Sequence, residues 1–316
     1  MTILIPPISE AVFENASVNT LITLMNKSLA ASTKVKIFNK QAAFPLLPDI
    51  QRTISQKNFI DDDYYISIFS SVEETTILDK IRRVSVCLET LARPCSGYNP
   101  YEVGSGVAPE GGLHTKQTVK DKPYHSEIRH DDQWKPEVIG RDLSRFHIRF
   151  SEKRWIKYGP WLSAARDPEN FKGKRILVQE ITGGRDRRII AAYHDSELYY
   201  SRDIIPIKLP NETPDPLFLL GVINSKLISW YHLKCSPKAQ KGLFPKVLVS
   251  DLKKLPISLG DTAIQNQISD AVRQVVSAKK VNPDADTIAN EIEIDRLVYA
   301  LYGLTDDEIA VVKGKE

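Results

Sequence analysis

Hydrophobic positions recur at helical spacing over residues 217–234. Leu220, Ile223, Leu227 and Tyr231 fall on one side, and Trp230 widens it. The spacing predicts one buried helix, ended at Ser236-Pro237 because a residue before proline is driven out of the helical region. A loop with Gly242 follows, then the β-branched run Val247-Leu248-Val249, then a helical turn over 251–254 closed by Pro256. Ile264, Ile268, Val272 and Val275 predict a further helix over 263–278, broken at Asn282-Pro283-Asp284. Ile288, Ile292, Asp295 and Tyr299 form one line over 285–302, with Gly303 as the stop. Thr305, with Glu308 three residues on, opens a last short helix.

Upstream the period shortens. Phe146, Ile148 and Phe150 alternate with His147 and Arg149 and predict a strand over 145–150. Aromatic or β-branched runs at 154–158, 175–180, 189–193 and 199–207 are separated by basic turns. They predict a mostly β unit, a small curled sheet. Residues 72–91 read as a helix with Ile77, Ile81, Val84 and Leu88 inward, ended at Arg93-Pro94. Residues 94–117 carry too many glycines and prolines for a regular element. At the N-terminus, 1–10 is extended and kept open by Pro6-Pro7. A strand or turn at Ala11-Val12-Phe13 and a helix capped by Ser17, with Leu21, Leu24 and Met25 buried, come next. A strand over 33–38, a polar loop over 49–59 and a strand over 64–69 complete this region.

A chain of 316 residues exceeds one small core, which implies two units with room for a third. Composition is that of an ordinary globular protein, 42% hydrophobic and 26% charged. No apolar run approaches the ~18 residues of a membrane span, and the first residues lack a leader pattern. Three cysteines make no disulfide framework and fit a reducing, cytoplasmic compartment. Net charge is only +3, but residues 129–188 hold 15 Lys and Arg against 9 Asp and Glu, whereas 291–316 hold 3 against 7. A basic middle suits a polyanion, and a solvated charged face is the competing explanation.

Candidate chemistry is sparse. Gly104, Gly106, Gly111 and Gly112 lack the strand–glycine–helix frame of a phosphate loop. Asp215, Asp251 and Lys253 have the letters of a nuclease site without its spacing, and His125 and His130 have no cysteine beside them for a metal. Cations on turns are the better lead, because Lys and Arg there can pair with phosphates and Arg can also read base edges. The candidates are Arg141 and Arg145; Lys172, Lys174 and Arg175; Arg185, Arg187 and Arg188 beside Gly183-Gly184; and Lys238, Lys241 and Lys246. Trp155, Tyr158 and Trp161 could stack on an unpaired base, although core packing is the simpler use for them.

Three stretches carry a resemblance: GVINSKLISWY with KG-x-FPK and SDLKKLPI; Gly140, Arg141, Asp142 and Leu143 with Arg145 and Phe146; and EIDRLVYALYGLTDDEIAVV. Together they resemble the C-terminal specificity domain of TaqI-like and Eco57I-like adenine-specific DNA methyltransferases, which include fused restriction-modification enzymes. The resemblance implies an α+β fold. A remnant of the methyltransferase domain's C-terminal part would occupy 1–92, and a glycine-bearing linker and entry segment 93–133, with a helix starting near Thr115. A mostly β target-recognition domain, 134–260, would pack on a C-terminal helical region, 261–316. It implies double-stranded DNA as partner and adenine-N6 methylation as the chemistry served. The Asn/Asp-Pro-Pro-Tyr/Phe loop that grips a flipped adenine does not occur in this chain. Ile5-Pro6-Pro7-Ile8 lacks both the polar and the aromatic residue. No catalytic, cofactor-binding or metal-binding residue is therefore assigned, and S-adenosylmethionine is expected on a methyltransferase catalytic domain or subunit elsewhere. A truncated or split methyltransferase half, and a specificity subunit of another phage-defence complex, are the alternatives.

Overall fold

In the computed structural model of the chain, residues 71–151, 153–181, 188–210, 214–236, 239 and 245–314 are described, together with the backbone of four strands before residue 56. Met1–Ser71 and Val72–Glu316 are separate compact units.

The first unit contains β1 (Ile3–Ile5), β2 (Ile22–Leu24), β3 (Lys34–Phe38) and β4 (Ile50–Ser55) in the order β2-β1-β3-β4. β1 runs antiparallel to β2 and parallel to β3, and β4 returns antiparallel along β3. Two expectations are corrected here. Leu24 lies on a strand rather than on a helix begun at Ser17, and 50–55 is a strand rather than a loop. In both places pairing with a distant strand outweighs local propensity. The elements expected at 11–13 and 64–69 lie outside the described residues.

The second unit opens with α1 (Val72–Arg83), followed by the short strands β5 (Val86–Cys87) and β6 (Arg93–Pro94). The expected helix over 72–91 therefore stops early, and Val84, expected inward, is exposed. α2 (Lys116–Asp121) starts behind Thr115, whose side chain caps it in a box with Thr118. β7 (His125–Ser126), β8 (Trp134–Val138), β9 (Leu143–Ser144), β10 (His147–Ile148) and β11 (Trp155–Lys157) follow. The strand expected over 145–150 is instead a tight hairpin, with His147 opposite Ser144 and Ile148 opposite Leu143. Its two turn residues are Arg145 and Phe146. Phe146 sits at φ +68°, a left-handed conformation that costs a side-chain-bearing residue about 1–2 kcal/mol. Burial of its ring in the larger core offsets that cost.

β12 (Arg175–Gln179), β13 (Ala191–His194), β14 (Tyr199–Tyr200) and β15 (Ile204–Lys208) complete two four-stranded sheets, β13-β12-β15-β6 and β14-β8-β11-β7. Strand alternation makes the first sheet a partition. Ile176 and Val178 of β12, with Ile205 and Ile207 of β15, face one core, while Leu177 and Ile204 face the other. The second core is aromatic, with Tyr98, Phe171, Tyr199 and Tyr200 packed ring to edge or ring to ring. Tyr158 joins them, so it serves packing.

The larger core is roofed by helices. The expected single helix over 217–234 is two: α3 (Pro216–Asn224) and α4 (Lys226–Cys235). Ser225, extended at ψ 155°, breaks the run and caps α4 by accepting from Ile228 N–H. The break frees Asn224, whose buried amide accepts from Ala191 N–H and donates to Ala191 C=O, both at 2.9 Å. It thus stands in for a strand beside β13. Ser229 accepts from Ile189 N–H at 3.1 Å and continues the same seam. α5 (Val249–Lys253), β16 (Pro256–Ile257), α6 (Thr262–Val281), α7 (Ile288–Leu301) and α8 (Asp306–Lys313) close the unit. In α7 the buried side is Ile294, Leu297, Val298 and Tyr299. Ile288 and Ile292, expected inward, are 66% and 64% exposed. Among the described residues no helix is long and apolar enough to cross a membrane.

Candidate nucleic-acid interface

The candidate cations divide by where the fold places them. Arg175 opens β12 and is fully buried. Its guanidinium donates to the carbonyls of Gly173 (2.6 Å), Phe171 (2.7 Å), Ser196 (2.9 Å) and Leu198 (3.1 Å), and to the Tyr200 hydroxyl (3.1 Å). A buried guanidinium must satisfy its donors inside the protein, and here the turns around β12 do so. The expected DNA contact by Arg175 is therefore corrected: the side chain holds those turns together. Burial, reinforced by the Arg175 charge, lowers the nearby His194 to about 4.

Arg145 and Arg188 are drawn to α7. Arg145 forms an ion pair with Glu291. Arg188 donates to both oxygens of Asp295 at 2.9 and 3.0 Å and to the Asn224 carbonyl at 3.1 Å. Glu291 and Asp295 stand one helical turn apart, so one face of α7 receives both arginines. Arg149 pairs with Asp284, and Lys279 lies 3.7 Å from Glu291. Burial, then the charges of Arg145 and Arg149, lower the Lys279 pKa. Part of the charge contrast between the basic middle and the acidic tail is thus neutralised within the unit. Arg145 and Arg188 thus tie the strand region to α7.

The remaining described candidates are exposed or paired only at the surface, and they fall at the two ends of β12. At its start, Lys172 pairs with Glu169 at 2.9 Å, both exposed, and Lys174 is exposed. At its far end, about 13 Å away at ~3.3 Å per residue, lie Arg141 and Lys246. Lys246 reaches both oxygens of Glu180 at 3.1 Å, and its backbone bridges to Ile181. Arg141 projects from a one-turn helix, Gly140–Asp142, and is exposed. Arg185, Arg187, Lys238 and Lys241 lie outside the described residues.

Sequence reasoning did not find what ties this far end together. The chain leaves β14, turns through Ser201, Arg202 and Asp203, and enters β15 in the other sheet. The Asp203 carboxylate accepts from Gly140 N–H at 2.6 Å and from the Ser201 hydroxyl at 2.6 Å. Its backbone carbonyl accepts from Glu180 N–H at 2.8 Å. The turns carrying Arg141 and Arg202, and the strand end beside Lys246, form one bonded edge. The available signal was Ser-Arg-Asp between two aliphatic and aromatic runs, a turn composition that is too common to single out.

Residues 135–257 match the TaqI-like C-terminal specificity domain. A putative type II restriction enzyme and methyltransferase of Methanocaldococcus jannaschii is 25% identical over 304 residues. That alignment covers 92% of this chain and 24% of the relative, so the chain spans about a quarter of the relative's length. Among solved structures, the type IIL restriction-modification enzyme MmeI in complex with DNA aligns at TM-score 0.47 and 12% identity, over 98% of this chain and 44% of that one. The type IIG restriction endonuclease BpuSI aligns at TM-score 0.40 and 11% identity, over 95% and 43%.

Proposed function

We propose, from the match of residues 135–257 to the TaqI-like C-terminal specificity domain, that the chain reads a short duplex DNA sequence for an adenine-specific methyltransferase of a restriction-modification system. The family match over the recognition region is the observation that carries the reading. The far end of β12 supports it. Asp142 is taken up by Arg154 at 2.5 Å and by Ile139 N–H, Asp203 by Gly140 and Ser201, and Glu180 by Lys246. Among the described residues none of these carboxylates forms an ion pair with Arg141 or Arg202. Phosphate contacts from such an edge would fix the register of the protein on the duplex, and base-edge contacts from the neighbouring turns would supply the sequence preference.

In this reading methyl transfer and S-adenosylmethionine belong to another domain or polypeptide. The absence of an Asn/Asp-Pro-Pro-Tyr/Phe loop from the sequence supports that division, as does the quarter-length coverage of a relative named as both restriction enzyme and methyltransferase. The test is selection from random-sequence duplex DNA at two salt concentrations, followed by sequencing. Recognition predicts an enriched short motif at both. Salt-steep binding with no enriched motif would reduce the chain to a basic surface. Methylation of DNA by the purified chain alone would overturn the division of labour.

A further inference from the structure

We propose that Arg141 and Arg202 act together as a two-arginine clamp on the DNA phosphate backbone, with Asp203 as the residue that sets their positions. The proposal rests on the reading of the chain as a DNA-recognition module and assigns the part of the surface that grips the strand.

Three observations carry it. First, both arginines are exposed, and among the described residues neither has an ion-pair partner. This sets them apart from Arg145, Arg149, Arg154 and Arg188, each of which holds a carboxylate. Second, the two turns are fastened directly to each other. Asp203 directly follows Arg202, and Gly140, whose N–H it binds, directly precedes Arg141. A methyl group on Gly140 would sit 3.3 Å from the Asp203 carbonyl oxygen and 3.4 Å from its carboxylate, so the backbones already abut. Third, both carboxylate oxygens of Asp203 are occupied by neutral donors, Gly140 N–H and the Ser201 hydroxyl. Among the described residues it forms no salt bridge with either arginine.

A guanidinium matches a phosphate with two parallel donors, and two of them held on abutting turns suit consecutive contacts along one strand. Pre-fastening the turns limits the ordering entropy lost on binding.

The experiment measures affinity of the full chain for duplex DNA across a salt series, together with the motif enriched by selection. For Arg141→Ala with Arg202→Ala, the slope of log affinity against log salt should fall in magnitude by about 1.8, two phosphate contacts at about 0.9 each. The enriched motif should stay the same. A control pair of exposed cations on α1 and α8, Arg83→Ala with Lys313→Ala, should leave the slope unchanged. An unchanged slope in the first pair overturns the clamp while leaving DNA recognition standing, and so does a changed motif at constant slope, which would make the pair base readers. Failure of the unsubstituted chain to bind duplex DNA would instead defeat the function on which the clamp rests.

Asp203 supplies a test of opposite sign. Removing a negative charge near DNA should by simple electrostatics tighten binding. Asp203→Ala, which also frees Gly140 N–H, should weaken it. Asp203→Asn, whose amide can still serve both partners, should bind at least as well as the unsubstituted chain. Thermal melting of each variant checks that the fold persists. Tighter binding by Asp203→Ala would show that Asp203 has no positioning role.

Discussion

At the scale of single residues, burial divides side chains of one chemical type into different uses. Arg141 and Arg175 are both arginines in basic stretches. The first ends in solvent and the second ends among four carbonyls and a tyrosine hydroxyl. Replacing Arg175 by Met would keep much of its volume and strip those acceptors of their donor. Hydrogen bonds to a charged group contribute about 1.5–3 kcal/mol each before their mutual dependence is counted, and losing such a set costs about 3–5 kcal/mol. Urea unfolding of Arg175→Met should show a loss of that size, and a midpoint equal to that of the unsubstituted chain would refute the structural role.

At the scale of elements, the break between α3 and α4 and the approach of α3 to α6 are one design. Asn224 can reach Ala191 only because the helix stops there, and α3 can lie close to α6 only because Gly221 faces it. A methyl group at Gly221 would meet Ile268 Cγ2 at 2.7 Å and Val272 Cγ2 at 2.8 Å. Both are β-branched side chains on a packed helix, with little rotamer freedom to yield. In an isolated helix, Gly to Ala stabilises by about 1 kcal/mol. Here overpacking, about 1–3 kcal/mol, opposes it and wins. Gly221→Ala should therefore lower the melting temperature, and a rise would mean that α3 shifts freely over α6. The same packing decides α7. Its outward Ile288 and Ile292 continue an apolar line that periodicity alone assigns to the core, but Glu291 and Asp295 are needed inward to meet Arg145 and Arg188.

At the scale of the Val72–Glu316 unit, one sheet divides the larger core under the helices from a smaller, aromatic-rich core, and an acid-sensitive group sits at its edge. His194, at the end of β13, titrates at about 4 instead of its ordinary 6.5, because of burial first and the Arg175 charge second. Its folded pKa is lowered, so between about 6.5 and 4 the unfolded chain binds the proton and the folded chain does not. Stability therefore falls as pH drops through that window. Denaturant unfolding at pH 7 and pH 4.5 should show the decline, and His194→Gln should make it shallower. An identical decline in the variant would place the acid sensitivity elsewhere.

Local pattern was sufficient where an element's conformation depends on its own residues. The amphipathic stripe of α6, the Thr305 cap and the apolar run of β12 are legible in the chain, because a helix turn, a cap or a strand is closed by neighbours a few positions away. The resemblance to a specificity domain was legible for a related reason: it lies in short strings such as Asn224-Ser225 and Gly140-Arg141-Asp142, whose bonds tie turns and helix ends in place. What the pattern left undecided is the destination of each charge. Arg145, Arg175 and Arg188 looked alike beside Arg141, yet three of the four are spent inside the protein. Their partners, Glu291, Asp295 and the carbonyls around β12, come from other elements, for Glu291 and Asp295 more than a hundred positions away. Only when the strand layers and C-terminal helices pack do those groups meet, and only then do the cations left over mark the edge that faces outward.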